Sequence, residues 1–203
     1  MTTPKPKGCP FAPPISGGLW PVLTTHPKRL EVNYTDTDGK HHGTKWGRAF
    51  GAPRANGRRH AGVDLFANDG DLVRAICDGI VLRNRGYFIR GTRPDGTTYA
   101  VRAILVDHGP IWVRYCEVWP LDMPGAREVR ARITGQKAVQ PDERLSVYAD
   151  EAFARVTRMK SSQMVHLETW AAGSKPQPWR GKDPPKGLLD PTAMLLALAE
   201  DAK

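Results

Sequence analysis

The 203-residue chain is short of cysteine, of aromatic residues and of long apolar runs. Its three cysteines, Cys9, Cys77 and Cys116, are an odd number at irregular spacing, which excludes a disulfide framework, and no C-x-x-C pair suggests a metal knuckle. Cys77 and Cys116 lie in apolar runs and read as small buried hydrophobes, in keeping with folding in a reducing compartment. No run approaches the ~20 apolar residues of a membrane helix, so no membrane span is expected. Met1 to Pro14 is polar and proline-rich without an apolar h-region. The expectation is therefore no secretory signal peptide, synthesis in the cytoplasm and delivery by another route. Acids are also scarce, 21 against 30 Lys and Arg, giving a formal net charge of +9. That balance suits nucleic acid, an anionic membrane surface or an anionic cell-wall polymer, and it suits simple solubility equally well. Basic residues such as Arg54, Arg58, Arg59, Arg83, Arg85, Arg127, Arg130 and Arg132 are scattered among acids and turns. Neither a helix-turn-helix pattern nor an aromatic-basic platform accompanies them, so no nucleic-acid partner is expected; a steep salt dependence of DNA binding would mark one.

What is present is short apolar segments punctuated by turns. Residues 1–18 are rich in Pro, Lys and Gly, and residues 1–45 read as a partly flexible N-terminal extension before a domain spanning 46–203. Glu31–Tyr34 reads as a short strand, Thr35–Gly39 as a turn and residues 39–59 as a long loop of functional character. Val63–Phe66 reads as a strand. Leu72–Ile76 and Ile80–Leu82, joined by Asp78-Gly79, read as a hairpin. Ala100–Asp107 and Ile111–Val118 form the strongest β pair, and Arg127–Ile133 and Val165–Trp170 follow. Two helices are expected, a short one over Asp150–Arg158 and a better one opened by Asp190-Pro191, with Met194, Leu195 and Leu198 on its apolar face. The fold class is mainly β, an antiparallel sheet with a few short helices and a C-terminal helix.

Three segments carry chemistry. In Arg59-His60-Ala61-Gly62-Val63-Asp64, an extended backbone puts His60 and Asp64 on one face, and imidazole and carboxylate are both good zinc ligands, although the H-x-x-x-D spacing alone is common. In Met164-Val165-His166-Leu167-Glu168, alternation sends Val165 and Leu167 to the core and Met164, His166 and Glu168 to the opposite face. Taken alone, His166 would be a hydrogen-bonded structural histidine. In Trp112–Val118, alternation groups Val113, Tyr115 and Glu117, and a carboxylate in so apolar a strand is costly to bury unless paired, metal-bound or open to a cleft.

Together these pieces resemble the lysostaphin-type (LytM-type) zinc metallopeptidases, which cut peptide cross-links in bacterial peptidoglycan. The resemblance runs from about Ala49 to Leu196. It takes in the His60–Asp64 segment, Asp71–Val81 as the "G-x-x-V-x-A-x-x-x-G-x-V" element, Val106-Asp107-His108-Gly109, Val113-Arg114-Tyr115, Val165–Glu168 and Leu189-Asp190-Pro191. It implies a lysostaphin-type (duplicated-hybrid-like) peptidase core, a Zn²⁺ cofactor held by His60, Asp64 and His166, and a fourth coordination place left open, the layout of a catalytic site. It implies peptidoglycan as the partner and the periplasm or cell wall as the place of action.

The chain departs from the family at two places. The first histidine of the family's H-x-H is here Met164, and the histidine of its Y-x-H is here Glu117. Two readings follow. In one, the protein is an active variant endopeptidase in which Glu117 is the general base and Tyr115 or Arg59 stabilises the oxyanion. In the other, it is an inactive member that binds cell wall or a protein partner. An antibacterial effector injected into a rival, with a secretion-apparatus carrier and an immunity protein, or a phage lysin, would each supply a route without a leader. The loop 39–59, with His41, His42 and Trp46, is expected to border the cleft, His41 and His42 being exposed loop residues rather than ligands. His108 reads as a turn histidine.

Overall fold

The structure, a computed structural model, describes residues 9–82, 88–121, 146–159 and 163–203. The strands are β1 (Val22–Leu23), β2 (Tyr34–Thr35), β3 (His41–His42), β4 (Val63–Phe66), β5 (Leu72–Arg74), β6 (Gly79–Leu82), β7 (Ile89–Thr92), β8 (Thr98–Asp107), β9 (Ile111–Pro120), β10 (Ser146–Val147), β11 (Ala152–Val156), β12 (Met164–Ala171) and β13 (Leu188–Leu189), followed by helix α1 (Thr192–Asp201). Among the described residues, eleven strands join one sheet in the order β1-β5-β11-β9-β8-β6-β10, with β12 on β9, β4 and β13 on β12, and β7 on β8; β2 and β3 form a separate pair. The strand pairs are antiparallel. The mainly β class with a C-terminal helix is thus as the turn-punctuated pattern implies.

The long β8–β9 hairpin is the spine. His108-Gly109-Pro110 turns it, and Gly109 has a positive φ and its N–H bonds to Asp107 Oδ1. One edge of β9 pairs with β8, while its other edge is shared: Ile111–Cys116 pair with β12, and Val118–Pro120 pair with β11. Glu117 stands where the edge forks. Opposite β8, Cys116 pairs with Ala103 and Val118 with Arg102, so Glu117 is one residue too many, a β-bulge, and its φ is 69°. A left-handed conformation at a residue with a side chain costs about 1–3 kcal/mol and persists only where the surroundings enforce it.

Alternation divides the central sheet cleanly before that bulge. Val63, Leu65, Val113, Tyr115, Val165 and Leu167 have no exposed surface and belong to the apolar core with Trp20, Val22, Ile76, Met194 and Leu195. Asp64, His166 and Cys116 lie in lateral register across β4, β12 and β9, on the other face. Gly62 lets β4 enter this close, because a Cβ there would sit 2.2 Å from the Leu167 carbonyl oxygen. α1 is capped as its sequence suggests, with Thr192 N–H donating to Asp190 Oδ1. No helix of the described residues is long and apolar enough to cross a membrane.

Four expectations are corrected or fall elsewhere. Asp150–Arg158 contains strand β11 and no helix: Phe153, Ala154 and Val156 are buried between β5 and β9, so tertiary pairing overrides the helix-like opening Asp150-Glu151. Leu72–Ile76 and Ile80–Leu82 are not a hairpin, since β5 pairs with β1 and β11 whereas β6 pairs with β8 and β10. Arg127–Ile133 lies outside the described residues. Within residues 1–45, Ala12, Trp20, Val22 and Val32 are part of the same core and β1 is part of the main sheet.

Candidate metal centre

Three buried side chains converge on the non-core face of the sheet. His60 Nε2, Asp64 Oδ1 and His166 Nδ1 lie 2.8–2.9 Å from one another. His60 comes from the loop before β4, Asp64 from β4 and His166 from β12, and each is 5–6% exposed. Each is fixed from behind. His60 Nδ1 is 2.9 Å from the Ala49 carbonyl, which only accepts, so Nδ1 carries a proton and Nε2 presents its lone pair inward. His166 Nε2 donates to Glu168 Oε1 at 3.1 Å. Arg54 Nη2 donates to Asp64 Oδ2 at 3.2 Å, leaving Oδ1 for the centre. Outer partners of this kind orient metal-binding histidines and carboxylates.

Glu168 is the hub of that outer layer. Its Oε2 accepts from Trp170 Nε1 at 3.0 Å and from Arg114 Nη1 at 3.3 Å, while Oε1 faces His166. Burial pushes its carboxyl up, but the His166 bond and Arg114 win and hold it below its ordinary range. Burial opposes charge on Asp64 too, and the two histidines hold it ionised, well below the carboxylate range. Burial pushes His60 down, keeping it neutral. His166 is opposed by burial but raised to about 10 by its bonds to Asp64 and Glu168. Two neutral-capable imidazoles, one ionised carboxylate and outward-locked second atoms form a donor set that fits Zn²⁺. Cys116 Sγ also lies near His166 and Glu168, but burial pushes its thiol well above its ordinary range, which disfavours the thiolate that binds metal.

The triangle floors a cleft of about 480 Å³, bordered by Arg54, Arg58, Arg59, Phe88, Met159 and Met164, with Glu117 inside it. Strand alternation would place Glu117 on the core face with Tyr115. The bulge instead turns it into the cleft, where its Oε2 is buried without a hydrogen-bond partner among the described residues. Burial, with the Asp64 charge adding to it, raises Glu117 to about 8.

The sequence candidates therefore separate. His60, Asp64, His166, Glu117 and Arg59 meet in one cleft, and Arg59 Nη1 is anchored on the Gly51 carbonyl at 3.0 Å. Tyr115 does not join them. It faces the core, fully buried, where its hydroxyl donates to His108 Nε2 (3.1 Å) and accepts from the Ile76 N–H (2.9 Å). An oxyanion role for Tyr115 is corrected on that ground, and His108 is its structural partner. His41, His42 and Trp46 do not line the cleft: His42 stacks on Tyr34 and His41 packs edge-on to Trp46. Of the loop 39–59, Arg54, Arg58 and Arg59 border it instead. Sequence reasoning gave Glu168 and Arg54 no role. The only signal for Glu168 was its two-residue spacing from His166 on one strand face.

No family model matches the chain, and no curated protein does. Among solved structures, it is similar to Csd3 from Helicobacter pylori in an orthorhombic crystal, at 17% identity and a TM-score of 0.39, over 91% of this chain and 40% of that one. It is also similar to a zinc-containing peptidase from Vibrio cholerae, at 18% identity and a TM-score of 0.32, over 63% of this chain and 31% of that one. The chain thus spans less than half the length of either protein. Likenesses this slight carry no argument about activity, which rests on the cleft itself.

Proposed function

We propose that this protein is a zinc-dependent endopeptidase that hydrolyses peptide bonds of bacterial peptidoglycan. The observation that carries the reading is the triangle of His60 Nε2, Asp64 Oδ1 and His166 Nδ1, each side chain held from outside so that this atom faces the other two. These three residues would hold the ion. When bound, zinc would supply Lewis acidity toward a peptide carbonyl, make water easier to deprotonate and favour the ionised form of Glu117 against the burial that, with the Asp64 charge, keeps it protonated.

The chain's own residues then divide the work. Glu117 takes a proton from the attacking water as the water oxygen bonds to the carbonyl carbon, and returns it to the amide nitrogen as the C–N bond breaks. The products are one carboxylic acid and one amine for each water consumed. Arg59, held by Gly51, supplies positive charge for the oxygen that becomes negative. Phe88, Met159 and Met164 give the cleft apolar walls that limit water. The peptidoglycan substrate, action in the periplasm or cell wall, and delivery as an antibacterial effector with a carrier and an immunity protein, or as a lysin, are carried by the motif resemblance and belong to the same proposal.

The competing reading, an inactive binder of cell wall or of a protein partner, rests on Met164 and Glu117 standing where the resemblance calls for histidines. Digestion of purified sacculi by the zinc-loaded protein separates the two. New soluble muropeptides from wild type, absent with Glu117→Gln at equal zinc content, support the peptidase. No release from sacculi of several bacterial groups, with zinc bound, supports the binder.

A further inference from the structure

A second concavity lies beside the metal cleft on the same face of the sheet. Trp119 and Arg155 pair laterally across β9 and β11, while their neighbours Val118, Val156 and Ala154 are buried in the core. Together with Arg90, Arg93, Tyr99 and Thr157 they line a groove of about 660 Å³. It adjoins the cleft along two short stretches of chain. Phe88 and Ile89 border the cleft and Arg90 borders the groove; Met159 borders the cleft and Thr157 borders the groove.

The groove is rich in guanidinium groups. Three arginines line it, and no carboxylate does among the described residues. Arg93 is fixed by neutral acceptors: Nη1 donates to Thr97 Oγ1 (3.1 Å) and the Thr98 carbonyl (3.2 Å), and Nη2 to the Arg158 carbonyl (2.8 Å). Its guanidinium also lies 5.6 Å from the centre of the Tyr99 ring. The position is thus set mainly by neutral acceptors, with the Asp95 carboxylate nearby as a weaker electrostatic partner. The neighbouring acid Asp95 spends Oδ1 on the N–H and hydroxyl of Thr97. Arg155 is exposed at the rim. Planar guanidinium forks match carboxylates, and the half-buried Trp119 offers a flat apolar surface to the intervening chain.

We propose that this groove is a subsite for acidic residues of an extended peptide whose backbone runs across the metal cleft. The proposal rests on the peptidase reading for its geometry and narrows the substrate class to peptides carrying carboxylates a few residues from the cut bond. A short extended peptide spans about 3.3 Å per residue, so a ligand of six residues reaches about 20 Å.

The test is fluorescence anisotropy of fluorescein-labelled hexaglutamate titrated with the full chain. A single-stranded DNA hexamer serves as the alternative polyanion. Wild type and the metal-site variant His60→Ala are expected to bind hexaglutamate alike, Arg155→Lys a few-fold more weakly because an ammonium keeps the charge but loses the fork, and added salt is expected to weaken all three. Arg155→Glu is expected to bind about tenfold more weakly. Arg29→Glu makes the same change in net charge but lines neither concavity, and is expected to stay within twofold of wild type. Any of these results overturns the proposal: no saturable hexaglutamate binding, equal losses for Arg155→Glu and Arg29→Glu, or tighter binding of DNA, which assigns the groove to nucleic acid. Loss of hexaglutamate binding in His60→Ala also overturns it, by placing the acidic peptide in the metal centre. Intact hexaglutamate binding with no cleavage of sacculi would remove the peptidase reading and leave the groove as an acidic-peptide site.

Discussion

Loading the metal-free protein with zinc should expel about two protons at pH 7. His166 at about 10 is almost fully protonated there, because Asp64 and Glu168 both hold the imidazolium against the cost of burial. Glu117 at about 8 is roughly nine-tenths protonated at that pH. His60 is neutral and Asp64 ionised, so neither has a proton to give. A cation among the three ligands needs the lone pair of His166 Nδ1 and favours the charged form of Glu117, so both protons leave. The expected release is therefore ~1.9 protons at pH 7, falling to ~1 at pH 9, where Glu117 has already ionised. The sign follows: zinc binds more tightly as pH rises, about a hundredfold per pH unit near 7 and about tenfold per unit near 9. Calorimetric zinc titrations in buffers of differing ionisation enthalpy measure the proton count. Glu117→Gln should lower it by ~0.9 at pH 7 and leave it almost unchanged at pH 9. Release well below one proton at pH 7, or a Glu117→Gln variant that releases as many as wild type, would refute the charge arrangement argued for the cleft.

Other consequences are simpler to read. Replacing Glu117 by Gln should lower kcat on sacculi by at least ~10²-fold while zinc stays stoichiometric; full activity would remove the general-base role. Glu168→Ala should weaken zinc binding by about 10–100-fold, measured by competition with a chromophoric chelator, because His166 loses the acceptor that orients it. His166→Ala should purify without metal, and stoichiometric zinc in that variant would contradict the ligand assignment. Gly62→Ala forces a Cβ onto the Leu167 carbonyl and should cost about 2 kcal/mol, seen as a drop of several degrees in Tm; an unchanged Tm would mean that β4 has room to shift.

Periodicity carried the regular parts of the fold. Val63–Phe66 is the strand its apolar run suggests, and β8, β9 and β12 follow from long runs of β-branched and aromatic residues. The facing of His166 was legible for the same reason, because Val165 and Leu167 on either side are fully buried. Where strict alternation fails, sequence reasoning failed with it. Glu117 was grouped with Tyr115, and only the left-handed bulge, which nothing in Tyr-Cys-Glu-Val announces, sends it to the opposite face. Strand β11 was misread as a helix because its polar start looks like a helix opening, while the pairings that make it a strand come from β5 and β9, far away in the chain. Glu168 went unassigned because a positioning carboxylate differs from a surface one only through its partners, Trp170 and Arg114, which share its side of the sheet.

The most direct measurement is a crystal structure of the zinc-loaded protein with anomalous data collected on both sides of the zinc edge. The account predicts one anomalous peak about 2.0–2.2 Å from His60 Nε2, Asp64 Oδ1 and His166 Nδ1, with Glu117 beside it but outside the ligand set. No peak at that triangle, or a zinc ion bound through Glu117 or other side chains in its place, would contradict it.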